Sequence, residues 1–187
     1  MSLKTRWIDF LYKVATGSQK FRNLLTPIGA IFFGLFTMLF VVAALLVDKF
    51  LKLPKLLPGP LNITLSLPVI LFGLFLMGWS AFQFLKVKGT PVPFNPPPRL
   101  VTNGPFAFVR NPMITGVFIL LFGLGILFRS VSLVFLFTPL FILFNVWQLK
   151  AIEEPELVKR LGSEYVEYRK RTPMFIPAFT LKPKRKK

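Results

Sequence analysis

The sequence contains neither cysteine nor histidine among its 187 residues. Without cysteine there is no disulfide, no thiolate nucleophile and no iron–sulfur or cysteine–zinc site. Without histidine there is no imidazole base, no haem ligand and no serine–histidine triad. Aspartate and glutamate together number only seven, without the spacing of a calcium loop. These absences exclude most metal and nucleophilic chemistry from the functions open to the protein.

Charged residues are also missing from four long stretches, at 23–47, 56–85, 111–128 and 130–149. The net charge of +17 would otherwise suggest a nucleic-acid partner. However, a bilayer-spanning helix needs about 20 mostly apolar residues. We therefore predict an all-α integral membrane protein without a nucleic-acid partner. Its four transmembrane helices are expected near 27–47, 63–85, 112–128 and 131–149.

The basic residues indicate how the chain is oriented. The N-terminal segment, the 86–111 loop and the tail from Lys150 carry 20 of the 24 Lys and Arg. Because cytoplasmic loops are rich in Lys and Arg, both termini are predicted to be cytoplasmic. The membrane would be the cell membrane in a prokaryote and the endoplasmic reticulum in a eukaryote.

Both ends of the chain have a pattern typical of the membrane surface. Leu3, Trp7, Phe10, Leu11 and Val14 recur at helical spacing among charges, which predicts an N-terminal helix lying on the cytoplasmic face. The polybasic tail, 180–187, is predicted to attract anionic lipid headgroups.

No Asp, Glu, Lys or Arg lies inside a predicted span, which disfavours a transporter. Polar chemistry is therefore expected in two cytoplasmic segments, 88–112 and 150–179. The first begins with a proline-rich stretch predicted to be extended. It ends at Pro112, a residue suited to the first turn of a helix whose positive end can receive an anion.

The second cytoplasmic segment is predicted to continue span four as one amphipathic helix ending before Pro173. Its apolar face is formed by Leu157, Leu161, Tyr165 and Tyr168. Glu153 and Glu154 would lie where this helix leaves the bilayer. From position alone, they are either solvated charges or partners for a cation. Gly123 and Gly125 in span three are expected to serve close helix packing.

Four ordered motifs in these segments resemble a known family. The first two are Leu100-Val101-Thr102-x-Gly104-Pro105-Phe106 and Val109-Arg110-Asn111-Pro112-Met113-x-x-Gly116. After a hairpin come Glu153-Glu154-Pro155 and Leu161-Gly162-x-Glu164-Tyr165-x-x-Tyr168. The set resembles the membrane-embedded methyltransferases that include isoprenylcysteine carboxyl methyltransferase and phosphatidylethanolamine N-methyltransferase, with bacterial and archaeal members most similar. It covers roughly 88–179.

The resemblance implies S-adenosylmethionine as methyl donor, S-adenosylhomocysteine as product, and a lipid or other apolar acceptor at the cytoplasmic interface. By the same resemblance, the catalytic residues would be Arg110 and Glu154. The cofactor-binding residues would be Pro98, Arg99, Leu100, Val101, Phe106, Asn111, Pro112, Met113, Ile114 and Glu153.

Three positions depart from the prenylcysteine enzymes of this family. Asn111 stands in place of a His, Ile114 in place of a Tyr, and Leu149 in place of an Arg near the acceptor carboxylate. These departures disfavour a prenylcysteine acceptor. They also leave one alternative, a catalytically inactive family member that acts as a membrane scaffold or lipid-binding protein.

Overall fold

The computed structural model describes residues 3–177 and contains no β-strand in that range. The all-α prediction is therefore confirmed for these residues, while the polybasic tail, 180–187, lies outside them. The helices are α1 (Leu3–Ala15), α2 (Gln19–Phe50), α3 (Leu61–Lys86), α4 (Pro112–Leu127), α5 (Thr138–Gln148), α6 (Glu154–Leu161) and α7 (Ser163–Arg171). A 3₁₀ turn lies at Gly104–Ala107, and π-helical turns lie at Leu133–Phe137 and Leu149–Glu153.

Three helices are long and apolar enough to cross a bilayer. They are Gln19–Phe50, Leu61–Lys86 and the continuous helix Leu133–Leu161, which includes α5, both π turns and α6. The remaining predicted span, the third, near 112–128, corresponds to α4, which is apolar but has only 16 residues. This is fewer than the roughly 20 residues of an ordinary spanning helix. The chain is thus a helical membrane protein with an apolar helix in each predicted stretch.

The interior of the bundle is an aromatic cluster around Phe141 of α5, which is fully buried. Its ring lies 5.8 Å from that of Phe36 and 5.2 Å from that of Phe40, both on α2. The ring of Phe118 of α4 meets it edge to face, with the ring centres 6.2 Å apart. Offset and edge contacts of this kind are favourable beyond the apolar area that they bury, so this cluster holds α2, α4 and α5 together.

Helices α3 and α4 approach each other closely at two glycines. A Cβ on Gly73 would lie 2.9 Å from the carbonyl oxygen of Gly116, and a Cβ on Gly116 would lie 2.8 Å from that of Gly73. Gly123 and Gly125 also pack tightly, against Ile70 and Val134, as expected from the sequence. Small residues therefore set the spacing of this helix pair.

The prediction of one helix after span four is wrong. The helix is interrupted at Gly162, where φ is +60° and ψ is −137°, a backbone conformation that strongly favours glycine. Helix α6 ends before this residue and α7 begins after it, ending at Arg171 before Pro173. The break allows Tyr165 and Tyr168 of α7 to be buried, each only 3% exposed.

Candidate active site

A cavity lies where the segments before α4 and after α5 meet, and it encloses about 970 Å³ of empty space, its open mouth included. The walls come from five parts of the fold: α1, the end of α3, the loop before α4, the start of α4, and the segment from Glu153 to α7.

The proline-rich loop forms one wall and is folded back on itself rather than extended as predicted. The backbone N–H of Thr90 donates to the carbonyl of Asn95 over 2.9 Å, and the N–H of Asn95 donates to the carbonyl of Val92 over 3.0 Å. On the opposite wall, Arg160 of α6 donates to the carbonyl of Pro97 over 2.9 Å. These bonds hold the loop against α6.

Arg110 connects the start of α4 to the C-terminal segment. Its guanidinium forms an ion pair with Glu154 and donates to the carbonyls of Arg169, over 3.2 Å, and Thr172. Its backbone N–H donates to the carbonyl of Pro173 over 2.8 Å. Since the Arg110 side chain is only 11% exposed, this network is a buried support beneath the cavity wall.

The three glutamates at the start of the C-terminal segment differ in their partners. Glu154 pairs with Arg110, and Glu156 pairs with Arg160 over 2.8 Å. Glu153 forms no ion pair within residues 3–177, and the side chain of Gln148 lies near its carboxylate. Glu153 lines the cavity, so it is the carboxylate best placed to receive a cation from a ligand.

Two tyrosines of α7 line the cavity as neutral phenols. Burial raises the pKa of Tyr168, and burial together with the nearby Glu154 carboxylate raises the pKa of Tyr165. The Tyr168 hydroxyl donates to the carbonyl of Phe106 over 2.7 Å. The ring of Phe106 lies 4.8 Å from that of Phe84 at the end of α3. This contact supplies an aromatic surface on the cavity wall.

Nine of the ten residues predicted to bind a cofactor line this cavity. Pro98 is exposed and lies outside the lining. Of the two predicted catalytic residues, Arg110 lines the cavity and Glu154 does not. The nine lining residues are Arg99, Leu100, Val101, Phe106, Asn111, Pro112, Met113, Ile114 and Glu153.

Several lining residues could not be predicted from the sequence. Leu11 of α1 and Phe84 of α3 carry no local signal that separates them from other apolar residues. The wall formed by α6 and α7 did have a sequence signal, because Leu157, Leu161 and Tyr165 recur at the spacing of one apolar helical face. Within residues 3–177, no group of three or more Asp and Glu side chains could hold a metal ion.

The cavity is built largely from the stretch in which the chain is similar to known proteins. The nickel-cobalt-cadmium resistance protein NccN of Alcaligenes xylosoxydans xylosoxydans is 32% identical over 103 residues. The match covers 55% of this chain but only 44% of that relative. No solved structure matches the chain. The phospholipid methyltransferase family profile matches residues 61–164, more than half of the 187 residues. The resemblance predicted from the motifs is therefore confirmed, and the chain belongs to the phospholipid methyltransferase family.

Proposed function

We propose that the protein is an S-adenosylmethionine-dependent methyltransferase that transfers a methyl group to a lipid or other apolar acceptor at the cytoplasmic interface. Its membership of a methyltransferase family supports the reaction class. The observation that carries the proposal is the carboxylate of Glu153, which has no ion-pair partner in residues 3–177 and lines the cavity between the two motif segments.

The residues of the cavity fit the charged and aromatic parts of this cofactor. The Glu153 carboxylate would bind the cofactor's ammonium group. The first N–H groups of an α-helix have no partner within the helix, and α4 has no side-chain cap at Asn111. The N–H groups of Met113 and Ile114 can therefore receive the cofactor's carboxylate. Phe106 offers an aromatic surface for its adenine ring.

The cofactor supplies a methyl group made electrophilic by its positively charged sulfur. When bound, it would transfer this methyl group directly to a lone pair of the acceptor, with S-adenosylhomocysteine as the product. The step needs alignment and exclusion of water rather than a covalent enzyme intermediate, so it does not require the cysteine and histidine that the chain lacks.

Arg110 and Glu154 receive different roles in this proposal. Arg110 lines the cavity and holds the C-terminal segment against the start of α4. Glu154 lies outside the lining and neutralises the Arg110 guanidinium. We therefore assign Glu154 as a positioning residue that acts through Arg110, instead of the catalytic residue that the motif suggested.

The proposed topology has four spans, with α4 as a short third one and both termini cytoplasmic. The distribution of Lys and Arg supports this orientation. The tight turn at Arg129 supports a helical hairpin, since Arg129 has a φ of +59° and lies just after Phe128, the C-cap of α4. In this arrangement the cavity opens at the cytoplasmic border, where an apolar acceptor can be presented from the bilayer.

Calorimetric titration of S-adenosylhomocysteine into the detergent-purified protein tests the proposal. We expect saturable binding by the wild type and at least a tenfold loss in Glu153→Gln, which keeps the size of the side chain but removes its charge. The matched control is Glu164→Gln, at an exposed position outside the cavity lining. Its affinity should equal that of the wild type. Retained binding in Glu153→Gln would refute the placement of the cofactor.

The alternative function is a membrane scaffold or lipid-binding protein without catalysis. Ile114 favours this alternative, because it lines the cavity where related enzymes have a tyrosine hydroxyl. A wild type that is folded but binds no S-adenosylhomocysteine would support the scaffold. Transfer of radiolabelled methyl groups from S-adenosylmethionine to extracted lipids would exclude it.

A further inference from the structure

Only part of the apolar surface of α1 packs against the rest of the protein. Leu11, Val14 and Ala15 are buried against the rest of the chain. Leu3 and Trp7, on the adjoining part of the helix surface, are 74% and 53% exposed. Because α1 lies outside every helix long enough to span the bilayer, this exposure is not explained by a transmembrane position.

The buried face of α1 forms part of the candidate active site. Leu11 lines the cavity. Lys159 of α6 pairs with Asp9 of α1 over 2.7 Å, and its ammonium lies 4.5 Å from the centre of the Tyr12 ring. A single side chain of α6 thus holds two residues of α1 beside the cavity. Removal of α1 would open the wall that Leu11 forms.

The exposed face of α1 lies near the border of the membrane. Phe10 of α1 meets the ring of Phe94 at 6.4 Å. Phe94 in turn packs on α2 at Gly29, where a Cβ would lie 2.9 Å from its ring. Gly29 is close to residue 27, where the apolar span of α2 is predicted to begin. The contacts through Phe94 therefore place α1 at the level where α2 enters the bilayer.

The charges on α1 match an anionic surface. Lys4, Arg6 and Lys13 are exposed, and none forms an ion pair with any residue in the range 3–177. Exposed apolar residues combined with basic residues on one helix are typical of segments that bind in the headgroup region of anionic membranes. The basic charge of α1 and its position at the membrane border therefore both favour anionic lipid headgroups as its partner.

We propose that α1 binds anionic phospholipid headgroups of the surrounding bilayer, and that this binding strengthens the cofactor site by holding Leu11 in the cavity wall. Residues Leu3, Trp7 and Phe10 enter the headgroup boundary while Lys4, Arg6 and Lys13 contact phosphates. Since coupling between two sites is reciprocal, anionic lipid raises cofactor affinity and cofactor strengthens the docking of α1. The coupling to cofactor rests on the proposed function, whereas lipid binding by α1 does not.

The first measurement follows α1 alone. Trp79→Phe and Trp147→Phe leave Trp7 as the only tryptophan of the protein. Its fluorescence is recorded in nanodiscs of phosphatidylcholine with or without phosphatidylglycerol, with bromine on the acyl chains as a quencher. We expect quenching to increase with phosphatidylglycerol. The triple variant Lys4→Gln, Arg6→Gln, Lys13→Gln should lose this increase. Quenching that is the same in both lipids would overturn the proposed docking.

The second measurement titrates S-adenosylhomocysteine into the same nanodiscs. We expect at least threefold tighter binding with phosphatidylglycerol in the wild type, and no lipid dependence in the triple variant. The matched control changes three exposed lysines of the 48–62 region to glutamine, at Lys49, Lys52 and Lys55. It should keep the lipid dependence.

The two measurements separate the possible failures. Tight binding that is independent of lipid would overturn the coupling and leave the proposed function intact. Absence of S-adenosylhomocysteine binding in every lipid would overturn the proposed function, while the quenching of Trp7 would still decide whether α1 docks on anionic lipid.

Discussion

The guanidinium of Arg110, at the start of α4, is bound by the carboxylate of Glu154, the first residue of α6. The two residues belong to different sequence motifs separated by the hairpin of α4 and α5. Arg169 of α7 also approaches the same carboxylate, at 3.7 Å. One acidic side chain therefore joins the segment before α4 to α6 and α7 beside the cavity, and the motifs meet through this contact.

Neutralising the Glu154 carboxylate should destabilise the protein. In Glu154→Gln the Arg110 guanidinium, only 11% exposed, would lose its counter-charge. Breaking a buried ion pair in this way costs on the order of 3 kcal/mol. We expect a clearly lower midpoint of thermal unfolding in detergent. The control is Glu167→Gln, whose partner Lys170 is 66% exposed. It should change the midpoint little, and equal losses in both variants would contradict a structural role for the Arg110–Glu154 pair.

The hydroxyl of Tyr168 should contribute to stability through its bond to the carbonyl of Phe106. Tyr168→Phe keeps the ring but leaves a buried carbonyl without this donor, which costs about 1–3 kcal/mol. The free energy of unfolding in denaturant would measure the loss. Tyr12→Phe serves as the control, because its ring would remain beneath Lys159. An unchanged free energy of unfolding in Tyr168→Phe would contradict this contribution, because it would mean that water can donate to the Phe106 carbonyl in place of the tyrosine hydroxyl.

The contact between Gly73 and Gly116 should not tolerate a methyl group. In Gly116→Ala the new Cβ would meet a backbone carbonyl at 2.8 Å, so α3 and α4 must separate. Overpacking of this kind costs about 1–3 kcal/mol. Gly34→Ala on α2 is the matched control, since a Cβ there would have no neighbour within 4 Å. If thermal unfolding in detergent gives the same midpoint for both variants, the helices do not pack as described.

Alkaline pH should destabilise the fold through the tyrosines of α7. The pKa values of Tyr165 and Tyr168 are raised above their ordinary value of 10.0. The unfolded chain therefore loses these protons first, and the stabilisation is complete below about pH 10 and declines as the pH rises further. Tyrosinate absorbance, followed between about pH 9 and pH 12, should appear for these two residues only together with unfolding.

The comparison for this titration is the double variant Tyr165→Phe, Tyr168→Phe. The difference between its absorbance and that of the wild type isolates the two phenols. Ionisation of both at an ordinary pKa while the helical circular dichroism signal is unchanged would contradict their burial.

Local composition was sufficient to predict the helices. Inside a bilayer the backbone must satisfy its hydrogen bonds within its own segment. A long uncharged apolar stretch that spans the bilayer is therefore expected to be helical. For α1 the signal was different, because its apolar residues recur at the spacing of one helical face. Pro112 was expected in a first helical turn, and α4 begins there because proline lacks the N–H that such a position leaves unpaired.

The break at Gly162 could not be predicted from the surrounding pattern. The apolar spacing from Leu157 to Tyr168 continues across it as if the helix were unbroken. Glycine permits a positive φ without requiring it. Only the packing of α7, with two tyrosines buried, selects the turned conformation.

The sequence by itself determined the membrane-spanning character, the family and the two segments that form the site, because each depends on local composition or on the order of motifs. Apart from the family resemblance, only tertiary structure decided which of Glu153 and Glu154 lines the cavity. Glu153 and Glu154 are neighbours, and consecutive residues of a helix point about 100° apart. Packing turns Glu153 toward the cavity and Glu154 toward Arg110. It also brings Leu11 to the wall from the other end of the chain, a contact that no local pattern encodes.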